Sequence, residues 1–558
     1  MKVADYVVSF LSAMGVRHVF GYPGSPLLPL LAAIDRHPDV RWVLMRHENS
    51  AALAASADGK LTGRLSVCVA TSGPGALNFV CGVADAHLDR VPMLALTGLV
   101  PTASQGHWEF QDVDQTRLFA AILDRSATCI HSEQLTALIR NFVGHAQQQH
   151  QTVHLALPSD ILDMDIDGDS DLYDLAPEQL PITLRLMPPP AKALDVVAKE
   201  LEQYRQITIV VGRRSIGCGS ALETLAEKLQ APIITTLDGK GIIDESHPNS
   251  LGVLGIFGFP GVERAKQMLR RSDAVLAFGT DTLKPFLTNH SDVQRRALIQ
   301  CEPEFAWLTH EYHRARTLVG PLEPIAHGLC ERIRKRERSS VFDGPIAEGC
   351  DLERSVMADI VAGPGHSHAD PTAFLLTLNR HLDEHTTVVL DTGAHTLWAA
   401  QFLHLTHRQR VLVSSRLGTM GFSLPAAIAA QLADPDHKVL VVCGDGGFQM
   451  VVGELATAVQ YRLPIIVIVF NNGVLQNVAA QQAVPYGTDL YNPDFVALAR
   501  AYGAFGATVE AGTDVDAVMR KAFEQRDVPF VIDLQCDPHV MAPLSKWEAT
   551  FESATISD

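Results

Sequence analysis

The sequence contains no uninterrupted apolar run approaching the roughly 20 residues needed to cross a bilayer, which argues against a membrane-spanning chain. The stretch VVSFLSAMGV near the start resembles a signal core, but Asp5 precedes it and no clear cleavage site follows, so an amphipathic first helix is expected instead. Cysteine is sparse and scattered, at positions 68, 81, 129, 218, 301, 330, 350, 443 and 536, with no C-x-x-C spacing. That pattern points to reduced thiols in a cytoplasmic protein rather than a disulfide framework or a zinc ribbon. The 23 histidines form no H-E-x-x-H and no paired cluster, so most are expected at the surface or in structural roles. Positive charge is in deficit: 45 Lys and Arg face 63 Asp and Glu, a net charge of −18. A nucleic-acid polyanion is therefore excluded as the main partner. What remains is 558 residues, 47% hydrophobic and 19% charged, with few aromatics, the profile of a globular enzyme-like protein. This length implies about three or four domains with large cores.

The most informative stretch is residues 438–472: KVLVVCGDGG, FQMVVGELATAVQYRL, PIIVIVFNN. Residues 438–443 are a short apolar, β-branched run ending in Gly444-Asp445-Gly446-Gly447. Residues 448–460 carry a helical pattern with Gly453 as its one glycine. Residues 464–470 form a second continuous apolar run, as in a strand buried on both faces. A helix of about 13 residues spans roughly 20 Å and a strand of seven roughly 23 Å, so the helix can return the chain for a parallel βαβ unit. Asp445 and Asn472 then emerge at the carboxyl ends of neighbouring strands, the edge where open α/β sheets bind ligands. A carboxylate and an amide oxygen are hard donors suited to Mg²⁺ or Ca²⁺, which keep further positions for carbonyls, water and substrate phosphate. The glycines let backbone amides approach an anion at a helix start. As a unit the stretch reads as a metal-bridged diphosphate site; taken apart, Asp-Gly and Asn-Asn-Gly are ordinary turn chemistry.

Helix and strand patterns alternate along the rest of the chain. Residues 1–165 hold strand patterns in HVFG, WVLMRHE, LSVCVA and MLALTG, with helical stretches between them. Residues 167–190 turn acidic and then Pro-rich, and read as a linker. Residues 191–335 repeat the pattern with ITIVVG, PIITTL, AVLAFG and RALIQC as strands. Residues 336–371, rich in charge, Gly, Ser and Pro, read as a second linker. A third α/β unit, residues 372–545, contains the Gly-Asp-Gly stretch and ends with FVIDLQC. The expected fold is α/β in three domains, each a mainly parallel sheet flanked by helices.

The spacing Gly-Asp-Gly, 24 residues, Asn-Asn resembles the thiamine diphosphate-binding motif of the superfamily containing 2-oxoacid decarboxylases, acetohydroxyacid synthases and pyruvate oxidases. Further motifs agree in order across the chain: RHENSAA with Glu48, TSGPGALN at 71–78, EFQD with Phe110 and Gln111, TGAHTLWAAQ with Gly393 and His395, and LGTMGFSLPAA with Gly418 and Met420. The resemblance covers nearly the whole chain. It implies a pyrimidine-binding domain at 1–165, a central Rossmann-like domain at 191–335 and a diphosphate-binding domain at 372–545. It implies that Asp445, Asn472 and the Val474 carbonyl hold Mg²⁺, and that Gly393, His395, Gly418, Met420, Gly444, Gly446, Gly447 and Asn472 contact thiamine diphosphate. Glu48 then touches the aminopyrimidine and exchanges a proton with it, Gln111 lies beside the cofactor, and Met420 sits beneath the bent cofactor. Taken singly, Glu48 is a helix-start carboxylate, Gln111 a loop residue and Met420 a core residue. In this family the two halves of the site come from different subunits, so the resemblance also implies a homodimer at minimum and commonly a homotetramer.

Two regions depart from the family pattern. In the central domain the Gly-rich turn reads VVGRRSIGCG, FGTDTLKP lacks the usual Arg, IQCEPE replaces Ile-Asp-Ile-Asp, and Gly320-Pro321 replaces a Gly-Asp. Glu302 could substitute for a ribose-binding carboxylate, but Pro321 cannot, so FAD is not expected. Substrate preference stays open. Phe110, Gln111 and Met420 lean toward acetohydroxyacid synthase, yet in the helix expected over GVLQNVAAQQAV, after the metal loop, Gln481 stands about where that family's Trp selects 2-oxobutyrate. GYPGS with Ser25 resembles benzoylformate decarboxylase locally, although TSGPG lacks that enzyme's active-site His. The reading is a decarboxylase or carboligase acting on pyruvate or a similar small 2-oxoacid, acetolactate synthase-like. An FAD-dependent pyruvate oxidase and a non-catalytic homologue serving as an assembly or binding module are the alternatives.

Overall fold

The computed structural model describes residues 1–166, 187–256, 259–261, 265, 268–269, 271–280, 297–308, 315–337 and 368–542. The linkers expected at 167–190 and 336–371 lie mostly outside these residues, as do positions 281–285 of FGTDTLKP. Among the described residues the strands form three sheets. The first contains β1 His18–Gly21, β2 Arg41–Leu44, β3 Ser66–Ala70, β4 Met93–Leu99, β5 Ser126–Thr128 and β6 Thr152–Pro158, in the order 2-1-3-4-6-5. The second contains β7 Ile207–Val211, β8 Ile233–Thr236, β9 Ser250–Ile256, β10 Phe259–Gly261, β11 Ala274–Phe278, β12 Ala297–Glu302 and β13 Arg316–Val319, in the order 10-9-8-7-11-12-13. The third contains β14 Thr387–Leu390, β15 Arg410–Val413, β16 Val439–Gly444, β17 Ile466–Asn471, β18 Phe505–Val509 and β19 Phe530–Gln535, in the order 15-14-16-17-19-18. Every pairing is parallel except that of β10 with β9. The first and third sheets thus share one topology, strand for strand. No helix among the described residues is long and apolar enough to cross a membrane.

Runs such as VLVVCG and IVIVFN carry no polar alternation because helices cover both faces of a parallel sheet. The first and third units pack through two alanine-rich helices, Glu48–Thr62 and Ser423–Ala433. Small side chains let the helix surfaces come close, and Ala52, Ala55, Ala426 and Ala430 share one buried cluster with Phe422 and Phe448. Two polar ties reinforce this contact: Arg46 N–H donates to Glu454 Oε1 at 3.0 Å, and Leu44 N–H to the Tyr461 hydroxyl at 2.7 Å.

Two local expectations need correction. Residues 448–460 do not form one helix; the chain forms helices Asp445–Val451 and Glu454–Gln460. At the joint, Leu455 N–H bonds Val452 O and Ala456 N–H bonds Gly453 O, the tighter i→i+3 pattern. Gly453 weakens the α-helix there, and the buried Glu454 side chain turns to the first domain. The segment GVLQNVAAQQAV is helical only over Gln476–Ala479. Beyond it Val484 and Tyr486 are 80% and 88% exposed, so no apolar contact within the chain supports a longer helix.

Candidate active site

β16 and β17 are parallel neighbours, with Gly444 paired in register to Phe470. Asp445 and Asn472 therefore leave the same sheet edge side by side. Asp445 is 3% exposed and both its oxygens accept hydrogen bonds: Oδ1 accepts the Gly446 N–H at 2.8 Å, and Oδ2 accepts Gly473 N–H and Asn492 Nδ2, both at 2.7 Å. Burial raises its carboxyl above the ordinary value, although the hydrogen bonds from Asn492, Gly473 and Gly446 oppose the shift. Asn472 Oδ1 accepts the Val474 N–H at 3.1 Å, which closes the loop around Gly473. Asn492 was not apparent from sequence. It also donates to Asn471 Oδ1, which ties the acid to the neighbouring strand from 47 residues downstream.

Asp445 and Asn472 border a cavity of about 200 Å³ with Thr392, Gly393, His395, Met420, Gly444, Gly446, Gly447, Val474, Leu475 and Asn477. Every residue lining it belongs to the third domain. The cavity depends on glycine at its floor, since a Cβ on Gly446 would lie 2.9 Å from Leu475 and one on Gly393 2.5 Å from the His395 ring. His395 is 4% exposed; burial lowers its pKa to about 4, so the imidazole is neutral. Its Nε2 has no hydrogen-bond partner, nor do the buried Thr392 Oγ1 and Asn477 Oδ1 on the same walls. Orphaned buried polar atoms of this kind call for a polar ligand. A diphosphate fits that requirement, and the oxygens of Asp445, Asn472 and the Val474 carbonyl fit a hard divalent cation.

Two carboxylates missed in the sequence hold this framework. Asp391, fully buried at the end of β14, accepts Thr392 N–H at 2.7 Å, Gly421 N–H at 2.9 Å and Ser423 Oγ at 2.6 Å. It thereby joins the His395 loop to the Met420 loop. Asp533 accepts Asn471 Nδ2 at 2.9 Å and holds the end of β17. Their sequence contexts, DTG and VIDLQ, carry no distinctive signature.

The remaining predicted residues lie elsewhere. Glu48, 9% exposed, opens the helix Glu48–Thr62, and its Oε2 accepts Asn78 Nδ2 at 3.1 Å. Gln111 has φ 64° and accepts Ser72 Oγ at 3.2 Å; a Cβ on Gly73 would meet it at 2.8 Å. Glu48 and Gln111 thus gather around the 71–78 turn, and neither lines the cavity. Gly418, at φ 67°, turns the chain before Met420 but is not a lining residue. The loop with Gln111 exposes Trp108 at 99% and Phe110 at 84%.

In the central domain Glu302 is fully buried at the end of β12. Arg214 engages it with both forks, Nε to Oε2 at 2.8 Å and Nη2 to Oε1 at 2.7 Å, and stacks its guanidinium 4.1 Å from the Trp307 ring. Arg214 lies on the turn after β7, where a dinucleotide fold has small residues facing the phosphates. Among the described residues, the Glu302 carboxylate that would meet the ribose of a flavin dinucleotide is already engaged by the guanidinium from that turn.

Comparison with known proteins agrees with this division. The family described as "Thiamine pyrophosphate enzyme, N-terminal TPP binding domain" matches residues 1–118, its central domain 194–329 and its C-terminal TPP binding domain 391–534. A probable acetolactate synthase large subunit of Methanococcus aeolicus is 31% identical, covering 96% of this chain and 92% of its own. An acetolactate synthase of Arthrospira platensis is 30% identical over 95% of this chain and 93% of its own. The acetolactate synthase isozyme 1 large subunit of Escherichia coli (strain K12) is 28% identical over 96% and 94%. With three domain matches in order and likeness along nearly its full length, the chain belongs to the thiamine pyrophosphate enzymes.

Proposed function

We propose that this enzyme is a thiamine diphosphate- and Mg²⁺-dependent 2-oxoacid decarboxylase and carboligase of the acetolactate synthase type, acting on pyruvate or a similar small 2-oxoacid. The observation that carries this reading is the cavity at the β16–β17 edge. There Asp445 and Asn472 stand beside the orphaned polar atoms of His395, Thr392 and Asn477. Thiamine diphosphate, when bound, supplies the electron sink for loss of CO₂ and the carbon nucleophile for ligation. Asp445, Asn472 and the Val474 carbonyl would hold Mg²⁺, which would neutralise the diphosphate charge. His395, as its neutral Nε2–H tautomer, would donate to a diphosphate oxygen. Gly393, Gly444, Gly446 and Gly447 keep side chains out of the cradle, Gly418 turns the chain ahead of Met420, and Met420 would support the cofactor.

Glu48 holds and exchanges a proton at the pyrimidine N1′, with Gln111 beside it. Both stand outside the third-domain cavity, which supports a composite site in which a second copy supplies the first-domain half. The assembly is then a homodimer at minimum and a homotetramer in its commoner form, in the cytoplasm. In this reading residues 1–165, 191–335 and 372–545 are the pyrimidine-binding, central and diphosphate-binding domains.

The enzyme works without FAD, because Arg214 takes up Glu302; this disfavours the pyruvate oxidase alternative. A non-catalytic role is disfavoured by the joint presence of Glu48, Asp445 and Asn472. The test is a screen of 2-oxoacids, with and without acceptors, that follows CO₂ and acetohydroxyacid in the presence of thiamine diphosphate and Mg²⁺. Acetolactate from pyruvate without added FAD is the expected result. Stoichiometric FAD released from freshly purified protein, or no product from any 2-oxoacid, sinks the reading.

A further inference from the structure

Residues 413–421 lead from the end of β15 to the helix Ser423–Ala433 and carry Met420 to the cavity wall. The far end of this segment is held within the third domain, by Gly421 N–H and Ser423 Oγ on Asp391. The near end is held by the first domain. Lys60, near the end of the helix that Glu48 opens, has a side chain 1% exposed, with Nζ 2.9 Å from Asp85 Oδ2 and 2.7 Å from Asp89 Oδ2. The same ammonium donates to the Val413 carbonyl at 3.1 Å and lies 4.5 Å from the centre of the Phe422 ring. Asp85 Oδ1 accepts the Ser414 hydroxyl, whose oxygen accepts the Thr419 N–H at 2.9 Å. Asp89 accepts Ser415 N–H at 3.0 Å and Arg416 N–H at 3.1 Å.

A buried ammonium between two buried carboxylates is a poor source of net stability, because desolvation of the ions offsets their attraction. What the trio has instead is direction. Each of its members bonds to residues 413–416 of another domain, immediately ahead of the turn at Gly418. Burial pushes the Asp89 carboxyl upward, but Lys60 and then Arg213 outweigh it, so the acid stays ionised and below its ordinary value. An ionised acceptor makes the stronger hydrogen bond to a backbone N–H. The same helix therefore carries Glu48 at its first residue and, through Lys60, fixes the segment that delivers Met420.

We infer that Lys60, Asp85 and Asp89 are positioning residues: they clamp residues 413–416 and so set where Met420 stands in the cofactor cavity. The functional half of this inference rests on the thiamine diphosphate reading above; the structural half does not.

Lys60→Met keeps an unbranched apolar stem and removes the charge. Amide hydrogen exchange is measured peptide by peptide on the cofactor-free protein. Exchange within 414–421 is expected to quicken at least about tenfold while β14 and the helix Ser423–Ala433 keep wild-type rates. With thiamine diphosphate and Mg²⁺ bound, cofactor affinity stays close to wild type, and H/D exchange at the thiazolium C2 falls about 10- to 100-fold through misplacement. If Lys60→Met does not fold, Asp89→Asn carries the same two measurements, since it keeps the volume and offers Ser415 and Arg416 one oxygen instead of two. Unchanged amide exchange in 414–421 of a folded variant overturns the clamp. Faster amide exchange with wild-type C2 exchange overturns the positioning role and leaves only interdomain adhesion. A wild-type protein that binds no thiamine diphosphate defeats the functional reading alone, and the amide measurement still decides the clamp.

Discussion

Asp445→Asn replaces one oxygen by an NH₂ group at nearly constant volume, so it isolates what the carboxylate does. In the native site Oδ1 accepts one N–H, from Gly446, and Oδ2 accepts two, from Gly473 and Asn492. An amide oxygen does best in the Oδ2 position, where it keeps two of these three bonds. Its NH₂ then meets the Gly446 N–H, donor against donor, a misfit of about 1–3 kcal/mol. Burial works the other way: it raises the Asp445 carboxyl because a desolvated charge is unfavourable, so removing that charge offsets part of the misfit. The cofactor-free fold is therefore expected to lose no more than about 3 kcal/mol. Metal-dependent binding is expected to lose its only charged protein donor. Outer-shell changes at metal sites already weaken binding about 10–100-fold, so at least about 100-fold is expected here, or about 2.7 kcal/mol. The assay pairs urea unfolding of the cofactor-free proteins with calorimetric titration of thiamine diphosphate at several Mg²⁺ concentrations. A variant that binds the cofactor with wild-type affinity and wild-type Mg²⁺ dependence refutes the ligand assignment. A variant that binds poorly because it no longer folds refutes the hydrogen-bond reasoning instead.

Glu48→Gln keeps the volume and a hydrogen bond to N1′ but not the proton exchange; C2 H/D exchange is expected to fall about 10²–10⁴-fold with cofactor still bound, whereas a helix-start role alone predicts a loss of about 0.3–1 kcal/mol in stability and normal exchange. Arg214→Ala leaves the buried Glu302 carboxylate without its guanidinium, and urea unfolding is expected to show a loss of about 3–5 kcal/mol, largely recovered when Glu302 is replaced by an apolar residue as well; equal losses in the single and double variants would show that the pair is not what the fold depends on. His154, fully buried between Thr97, Ser126 and the Phe119 ring, is held neutral, with burial lowering its pKa to about 3 from 6.5. Its folded value lies below its unfolded one, so its contribution is present above about pH 6.5 and fades as pH falls, by about 2 kcal/mol at pH 5. His154→Gln lacks that component, so urea unfolding is expected to show the wild-type advantage shrinking from about pH 7 to about pH 5; parallel pH profiles would contradict the buried neutral histidine.

Much of the molecule was legible in the residues themselves, for a physical reason. A parallel strand covered on both faces must be apolar throughout, so VLVVCG and IVIVFN identify themselves, and with them the edge where Asp445 and Asn472 emerge. Charge balance and the absence of apolar runs are likewise sums over the chain and need no coordinates. What the sequence could not carry is long-range pairing. Asn492 and Asp391 look like ordinary turn residues until folding brings one to Asp445 and the other to Gly421 and Ser423. Glu302 read as a possible ribose-binding carboxylate because the residue that neutralises it, Arg214, lies 88 positions away. The helix expected over 448–460 divides at Gly453, and Glu454 beside the joint bonds the first domain, a contact that local propensity does not contain. Local pattern determined the sheets and their ligand-binding edge, since periodicity and turn chemistry act over a few residues. Tertiary structure alone decided which acids are occupied and how the Met420 loop is held, since a buried polar group takes its meaning from partners that only the fold brings within reach.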